Sequence, residues 1–170
     1  IKSRGKLGPW NKDDLKNIPL SGDYTFDHID LSVFHGIAGI LTAKGEFNGA
    51  LGNMETQGTV DTPNFEVVHT KHSVPIKTRF TAQVDGTTGD VTLRAVDATI
   101  LRTAAHFEGT ISSKPGQHGK TTALNFAVRD GHIEDVLRIF VRESKPPMAG
   151  KTSFKAHVVL PPGKRPFEKK

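Results

Sequence analysis

From Ser21 onward apolar and polar residues trade places at nearly every step, and this two-residue period constrains the chain more than any other feature. The clearest stretch sets Ile76, Thr78, Phe80, Ala82 and Val84 against Lys77, Arg79, Thr81, Gln83 and Asp85. Successive side chains of a strand point to opposite faces, so alternation of this length specifies a strand with one apolar and one wet side. The same pattern places Tyr24 and Phe26 against Asp23, Thr25 and Asp27, and Leu41, Ala43, Gly45, Phe47, Gly49 and Leu51 against Thr42, Lys44, Glu46 and Asn48. Phe65 and Val67 follow, then Val91, Leu93 and Ala95, then Ala105, Phe107, Gly109 and Ile111. Leu124, Phe126 and Val128 come next, and Phe154, Ala156 and Val158 close the series.

Turn chemistry separates these runs. Asp85-Gly86-Thr87-Thr88-Gly89 reads as a hairpin turn, and Lys114-Pro115-Gly116-Gln117-His118-Gly119 as a second one. The period changes once. Ile133, Val136, Leu137, Phe140 and Val141 carry the spacing of a short amphipathic helix at about 132–143, with Asp130 as its N-cap. Glu134 and Asp135 suit its positive end, Arg138 and Arg142 its negative end, and Lys145-Pro146-Pro147 stops it. This helix is expected to lay its apolar stripe over an end of the sheet.

The expected fold is therefore mainly β: a long antiparallel sheet with one short helix near the C-terminal end. Long strands in sequence order with little helix to cover them leave a sandwich, a closed barrel, or a curved sheet with an apolar concave face. The aromatic-x-Gly units Phe47-Asn48-Gly49 and Phe107-Glu108-Gly109 suit strong curvature, because strand glycines permit bending. Residues 1–20 read as a linker or irregular edge, 21–160 as the sheet, and 161–170 as a polar tail. A first residue of Ile1 and a C-terminal run that completes no pattern make a segment of a longer protein the expectation.

Composition narrows the function classes. The net charge of +5 admits anionic partners. The clusters Lys2/Arg4/Lys6 and Lys164/Arg165/Lys169/Lys170 lie in terminal segments and read as solvated, and no nucleic-acid-binding motif accompanies them. Without Cys there are no disulfides or cysteine-ligated zinc sites. No apolar run approaches the roughly 18 residues of a membrane-spanning helix.

A search for reactive groups returns little. His69-Thr70-Lys71-His72 has an H-x-x-H spacing but no third ligand at a recognisable distance, so it reads as two surface histidines. Asp27 and His28 are strand neighbours that point apart, and His106 and Glu108 share the wet face. No nucleophile elbow, phosphate loop or calcium loop occurs. The chain is read as non-enzymatic, with no cofactor and no metal. Attention falls on the apolar strand face, whose candidate ligand-lining residues are Phe47, Phe65, Ile76, Phe80, Val84, Val91, Leu93, Phe107, Leu124, Phe126, Val128 and Phe154. Periodicity alone leaves two readings open for them, a packed core or an apolar groove.

Several stretches resemble the AsmA-like proteins of the Gram-negative envelope, in the broad AsmA/TamB group. They include Gly8-Pro9-Trp10, Leu20-Ser21-Gly22-Asp23-Tyr24-Thr25-Phe26, Ile29-Asp30-Leu31-Ser32-Val33-Phe34 and Gly36-Ile37-Ala38-Gly39. The likeness continues in Gly45-Glu46-Phe47-Asn48-Gly49, Gly58-Thr59-Val60-Asp61-Thr62-Pro63-Asn64-Phe65 and Val84-Asp85-Gly86. It ends with Gly131-His132-Ile133-Glu134-Asp135-Val136-Leu137-Arg138 and Leu160-Pro161-Pro162-Gly163. These are turn and strand signatures without catalytic content. The resemblance implies a periplasmic segment of a lipid-conducting β-groove used in outer-membrane biogenesis. Its partners would be a phospholipid or other acyl-chain ligand, the rest of a longer chain, and envelope proteins. It also implies an inner-membrane tether through a segment absent here. The alternative expectation is a β-sandwich interaction or carbohydrate-binding module of the cell envelope, although Trp10 and Tyr24 are the only Trp and Tyr available for a sugar platform.

Overall fold

Nearly every strand pairs with the one before it, as the alternating runs and short turns require. The computed structural model describes residues 2–33, 36–113, 116, 119–143, 145–160 and 162. Within them lie β1 (Lys2–Leu7), β2 (Pro19–Asp30), β3 (Ile37–Ala38), β4 (Ile40–Ala50), β5 (Asn53–Val67) and β6 (Ser73–Asp85). After these come β7 (Asp90–Ile100), β8 (Thr103–Ser113), β9 (Lys120–His132), the helix α1 (Ile133–Phe140) and β10 (Lys151–Leu160). All the strands belong to one antiparallel sheet in the order β1-β2-β4-β5-β6-β7-β8-β9-β10, with β3 paired to the end of β5. Among the described residues β1 and β10 remain as two open edges, so the sheet is not a closed barrel.

Residues 1–20 depart from their expected form. Lys2–Leu7 pairs residue for residue with Leu20–Thr25 and forms the edge strand β1, and β2 already begins at Pro19. KSRGKL has no apolar alternation of its own. Its strand comes from pairing with β2, a case of tertiary context overriding local preference. The expected 161–170 tail lies outside the described residues except for Pro162, as does much of the turn over 114–119.

Turn geometry holds the register. At the β6–β7 hairpin the Asp85 carboxylate accepts from the Thr87 N–H (2.8 Å), the Thr87 hydroxyl (2.5 Å) and the Thr88 N–H (3.2 Å). Gly89 at φ 71 completes that turn. The β7–β8 connection is only Leu101-Arg102, with Leu101 at φ 54.

Bulges interrupt the ladders. They fall at Asp27-His28 in β2, at Pro63-Asn64 in β5, at Arg94-Ala95 in β7, and between β9 and β10 near Ser153. Pro63 is tolerated because a bulge needs no ladder donor there. Each bulge bends its strand and increases the local twist. The helix α1, about 12 Å long at about 1.5 Å per residue, touches β5, β6 and β9 together and so draws separated strands to one short element.

The sheet has two margins of strand ends. α1 lies at one, with the chain segments at 31–33, 68–72 and 101–102. The other holds residues 8–18, 51–52 and 86–89, tied by the Leu51 N–H to Ile18 O (2.9 Å) and the Gly86 N–H to Leu51 O (2.7 Å). The packed core is small and sits at the helix margin. Val74, Ile100 and Ile139 are buried together, with Phe65, Val67, Ile76 and Leu101 against them.

The helix matches its expected position but differs in detail. It runs over Ile133–Phe140, and the position before it is His132, whose side chain makes no capping bond. Asp130, expected as the cap, sits in the bulge at φ 50 with its N–H donating to Ser153 Oγ (2.9 Å). The line turned into the protein is Asp135 and Ile139, whereas Phe140 is exposed. The expected stripe of Ile133, Val136, Leu137, Phe140 and Val141 missed Ile139.

Candidate functional site

The residues of the apolar face can be followed across the sheet through its register, because directly opposite residues share a side. Leu7 faces Leu20, Gly22 faces Phe47, and Phe26 faces Ala43. Phe47 faces Thr56, Gly58 faces Phe80, and Met54 faces Val84. Beyond β6 the line runs from Phe80 to Val96 to Phe107 to Phe126 to Ala156, and beside it from Ala82 to Leu93 to Gly109 to Leu124 to Val158. All twelve candidate residues therefore fall on one side of one sheet.

They do not share one environment. Phe65 and Ile76 pack into the cluster beneath α1, and Val128 is buried at 1% exposure beside Phe154 and Ala105. These three belong to packed structure. Phe47, Phe80, Val84, Val91, Leu93, Phe107, Leu124, Phe126 and Phe154 are half-buried, and among the described residues no second sheet faces them.

Two surface textures result. Over β8, β9 and β10 the aromatic rings form a ladder, with Phe107 and Phe126 centroids 4.7 Å apart and Phe126 and Phe154 5.3 Å apart. Tilted ring pairs at such distances are mutually attractive. Over β1 to β5 the face is shallow. The Phe47 ring lies across the Gly5–Gly22 pair, where a Cβ on Gly22 would stand 2.8 Å from Phe47 Cζ. Tyr24 covers the Gly45–Gly58 pair in the same manner, and a Cβ on Gly58 would stand 2.9 Å from Tyr24 Oη.

Sequence periodicity misassigned one residue and missed several. Ala95, expected on the apolar side, pairs with Thr81 on the wet side, because the Arg94-Ala95 bulge shifts the phase. From there Val96, Ala98 and Ile100 continue the apolar face. The signal was present: apolar residues pass from odd to even positions between Leu93 and Val96.

The wet face carries cross-strand polar pairs. His106 Nδ1 lies 2.8 Å from Asp97 on the neighbouring strand, and Arg94 lies 3.5 Å from Glu55 and donates to Gln83 Oε1 (2.6 Å). His72 Nε2 meets the Arg142 carbonyl at 3.1 Å, and His28 sits in the β2 bulge at φ 52. Among the described residues no group of three His, Asp or Glu side chains is placed to hold a metal ion, and no helix is long and apolar enough to cross a membrane.

Among the described residues, one cluster around a buried charge, Asp135, fastens α1 to the β7–β8 turn. Asp135 accepts from the Arg102 guanidinium (2.9 Å), the Arg102 N–H (3.0 Å) and the Thr103 hydroxyl (3.1 Å). Burial alone would raise the Asp135 carboxyl, but these donors hold it below the usual carboxylate range. Glu134 accepts from the Gly150 N–H (3.0 Å) and from Arg102 (3.0 Å), and the Gly150 bond leads in lowering it to about 2. Sequence reading assigned both acids to the helix dipole only. Nothing in a single sequence joins Arg102 to residues more than thirty positions away.

Comparison with family models, with curated proteins and with solved structures finds no match to this chain.

Proposed function

We propose that this chain binds acyl-chain lipid on its apolar sheet face and passes it along without catalysing a reaction, as a periplasmic segment of an AsmA-like envelope protein in outer-membrane biogenesis. One observation carries the reading. A continuous apolar face crosses the sheet from Leu7 to Val158 with mostly half-buried side chains and, among the described residues, no second layer over most of it. Apolar surface left in water costs about 25 cal/mol per Å², and an acyl chain that covers it gains about 0.8 kcal/mol per buried CH₂. A polar headgroup remains in water at either margin. The alternative of a β-sandwich module needs a second sheet, and the described residues form one.

Organic extraction of purified protein followed by mass spectrometry, with titration of a fluorescent phospholipid, tests the reading. Co-purified lipid and saturable uptake are expected. Protein that carries no lipid and takes up none would refute the proposal.

A further inference from the structure

The helix margin carries a second surface, outside the sheet face. Four large apolar side chains stand exposed there: Val33 at 70%, Val68 at 46%, Phe140 at 68% and Met148 at 61%. Hydrogen bonds hold their segments together. The Val68 N–H donates to Gly36 O (3.0 Å), and His72 Nε2 meets the carbonyl of Arg142 at 3.1 Å where the chain leaves α1. Arg138 and Pro146 line one cleft of about 510 Å³ beside the helix, together with the paired Arg102, Glu134 and Asp135.

Charge at this margin is mixed, with an excess of cations in the connecting segments and helix. In its connecting segments and helix, Arg102 is matched by Glu134 and Asp135. Of the remaining described residues there, Lys71, Arg138, Arg142 and Lys145 stand against Glu143. Exposed apolar side chains interleaved with cations are the composition of an element that lies in a membrane interface. Anionic headgroups attract such cations within about a Debye length.

We infer that the helix margin docks on the surface of an anionic lipid bilayer, with Phe140 and its apolar neighbours entering the headgroup region and Arg138, Arg142, Lys71 and Lys145 meeting phosphates. The pattern favours a bilayer over a protein partner. Val33, Val68, Phe140 and Met148 stand apart on separate segments and none of them lines the cleft beside the helix, and a bilayer interface accepts separate side chains without a matching relief. The inference uses residues outside the open sheet face and goes beyond lipid carriage by that face.

The only Trp of the chain supplies a control, because Trp10 is exposed in the segment over 8–18, at the opposite margin. The test moves this reporter by combining Phe140→Trp with Trp10→Phe, and follows emission during titration with phosphatidylglycerol/phosphatidylethanolamine vesicles or phosphatidylcholine vesicles. A blue shift with the anionic vesicles, absent with phosphatidylcholine and weakened by salt, is expected. The parent, reporting from Trp10, is expected to show no shift. Arg138→Glu with Arg142→Glu, both exposed positions, should lower vesicle affinity at least about tenfold with unchanged circular dichroism. Uptake of monomeric fluorescent phospholipid should persist in that variant, which separates this surface from the sheet face. Equal binding to both vesicle types, a shift at Trp10 in place of position 140, or full affinity after charge reversal would overturn the inference. So would absence of vesicle binding, which would leave the patch as a protein-docking surface.

Discussion

Phe126 sits at the middle of the aromatic ladder, 4.7 Å from Phe107 and 5.3 Å from Phe154, and is half-buried on the open part of the face. On the proposed reading, a carboxylate there would meet an acyl chain without a partner for its charge. Phe126→Asp should therefore weaken phospholipid binding at least about tenfold, as read by fluorescent-lipid titration. Glu108→Gln, on the wet face one strand away, should leave binding unchanged. Gly58 makes a different statement about the face. Because a Cβ on Gly58 would stand 2.6 Å from Lys44 O and 2.9 Å from Tyr24 Oη, Gly58→Leu has to shift both the neighbouring backbone and that ring. Overpacking of this kind costs about 1–3 kcal/mol, and a lowered midpoint in urea unfolding is the expected result.

The elements divide into those legible from alternation and those that were not. The β6–β7 hairpin was legible because Ile76 to Val84 alternates without a break and Asp85-Gly86-Thr87-Thr88-Gly89 carries its own turn bonds. β1 was not, since KSRGKL pairs through its backbone with β2 while carrying no apolar side of its own. α1 was legible in position, but its buried line was not. Ile139 packs on Val74 and Ile100 one turn from Asp135, which is fastened to Arg102 and Thr103, a contact between distant segments. Asp135→Ala leaves the Arg102 N–H without its acceptor and the Thr103 hydroxyl with only the longer bond to His132 O (3.3 Å). It should destabilise by about 1–3 kcal/mol, with earlier hydrogen exchange of the helix amides than of the β6–β7 hairpin. Glu134 predicts a pH dependence. Its folded carboxyl titrates at about 2, below the ordinary 4.5, so the unfolded chain takes up the proton first. The stability it contributes is present above pH 4.5 and is lost as pH falls toward 2. Denaturant unfolding from pH 6 to pH 2.5 should show that loss, and Glu134→Gln should reduce it.

At the scale of the whole molecule, one sheet of ten strands keeps much of its apolar side half-buried, with a small packed cluster where α1 meets it. Alternation specified the side of the residues it assigned, apart from Ala95 after the β7 bulge, and left Val96, Ala98 and Ile100 unassigned. It did not specify whether a second layer covers that side, since a sandwich and an open sheet ask for the same period. That distinction depends on which strands pair, and the register supplies it. Phe65, Ile76 and Val128 show the limit at single residues: they share the face with Phe80 and Phe107, yet their place at the helix margin makes them core. The central claim is that the remaining apolar side meets lipid. Photoreactive benzoylphenylalanine placed at Phe80, Phe107 or Phe126, and separately at Thr81, Glu108 or Asn125 on the opposite side, tests it most directly. After irradiation with phospholipid present, mass spectrometry should find lipid adducts at the first three positions and none at the second three. Equal labelling of both sides, or no adduct on the apolar side, would contradict the account.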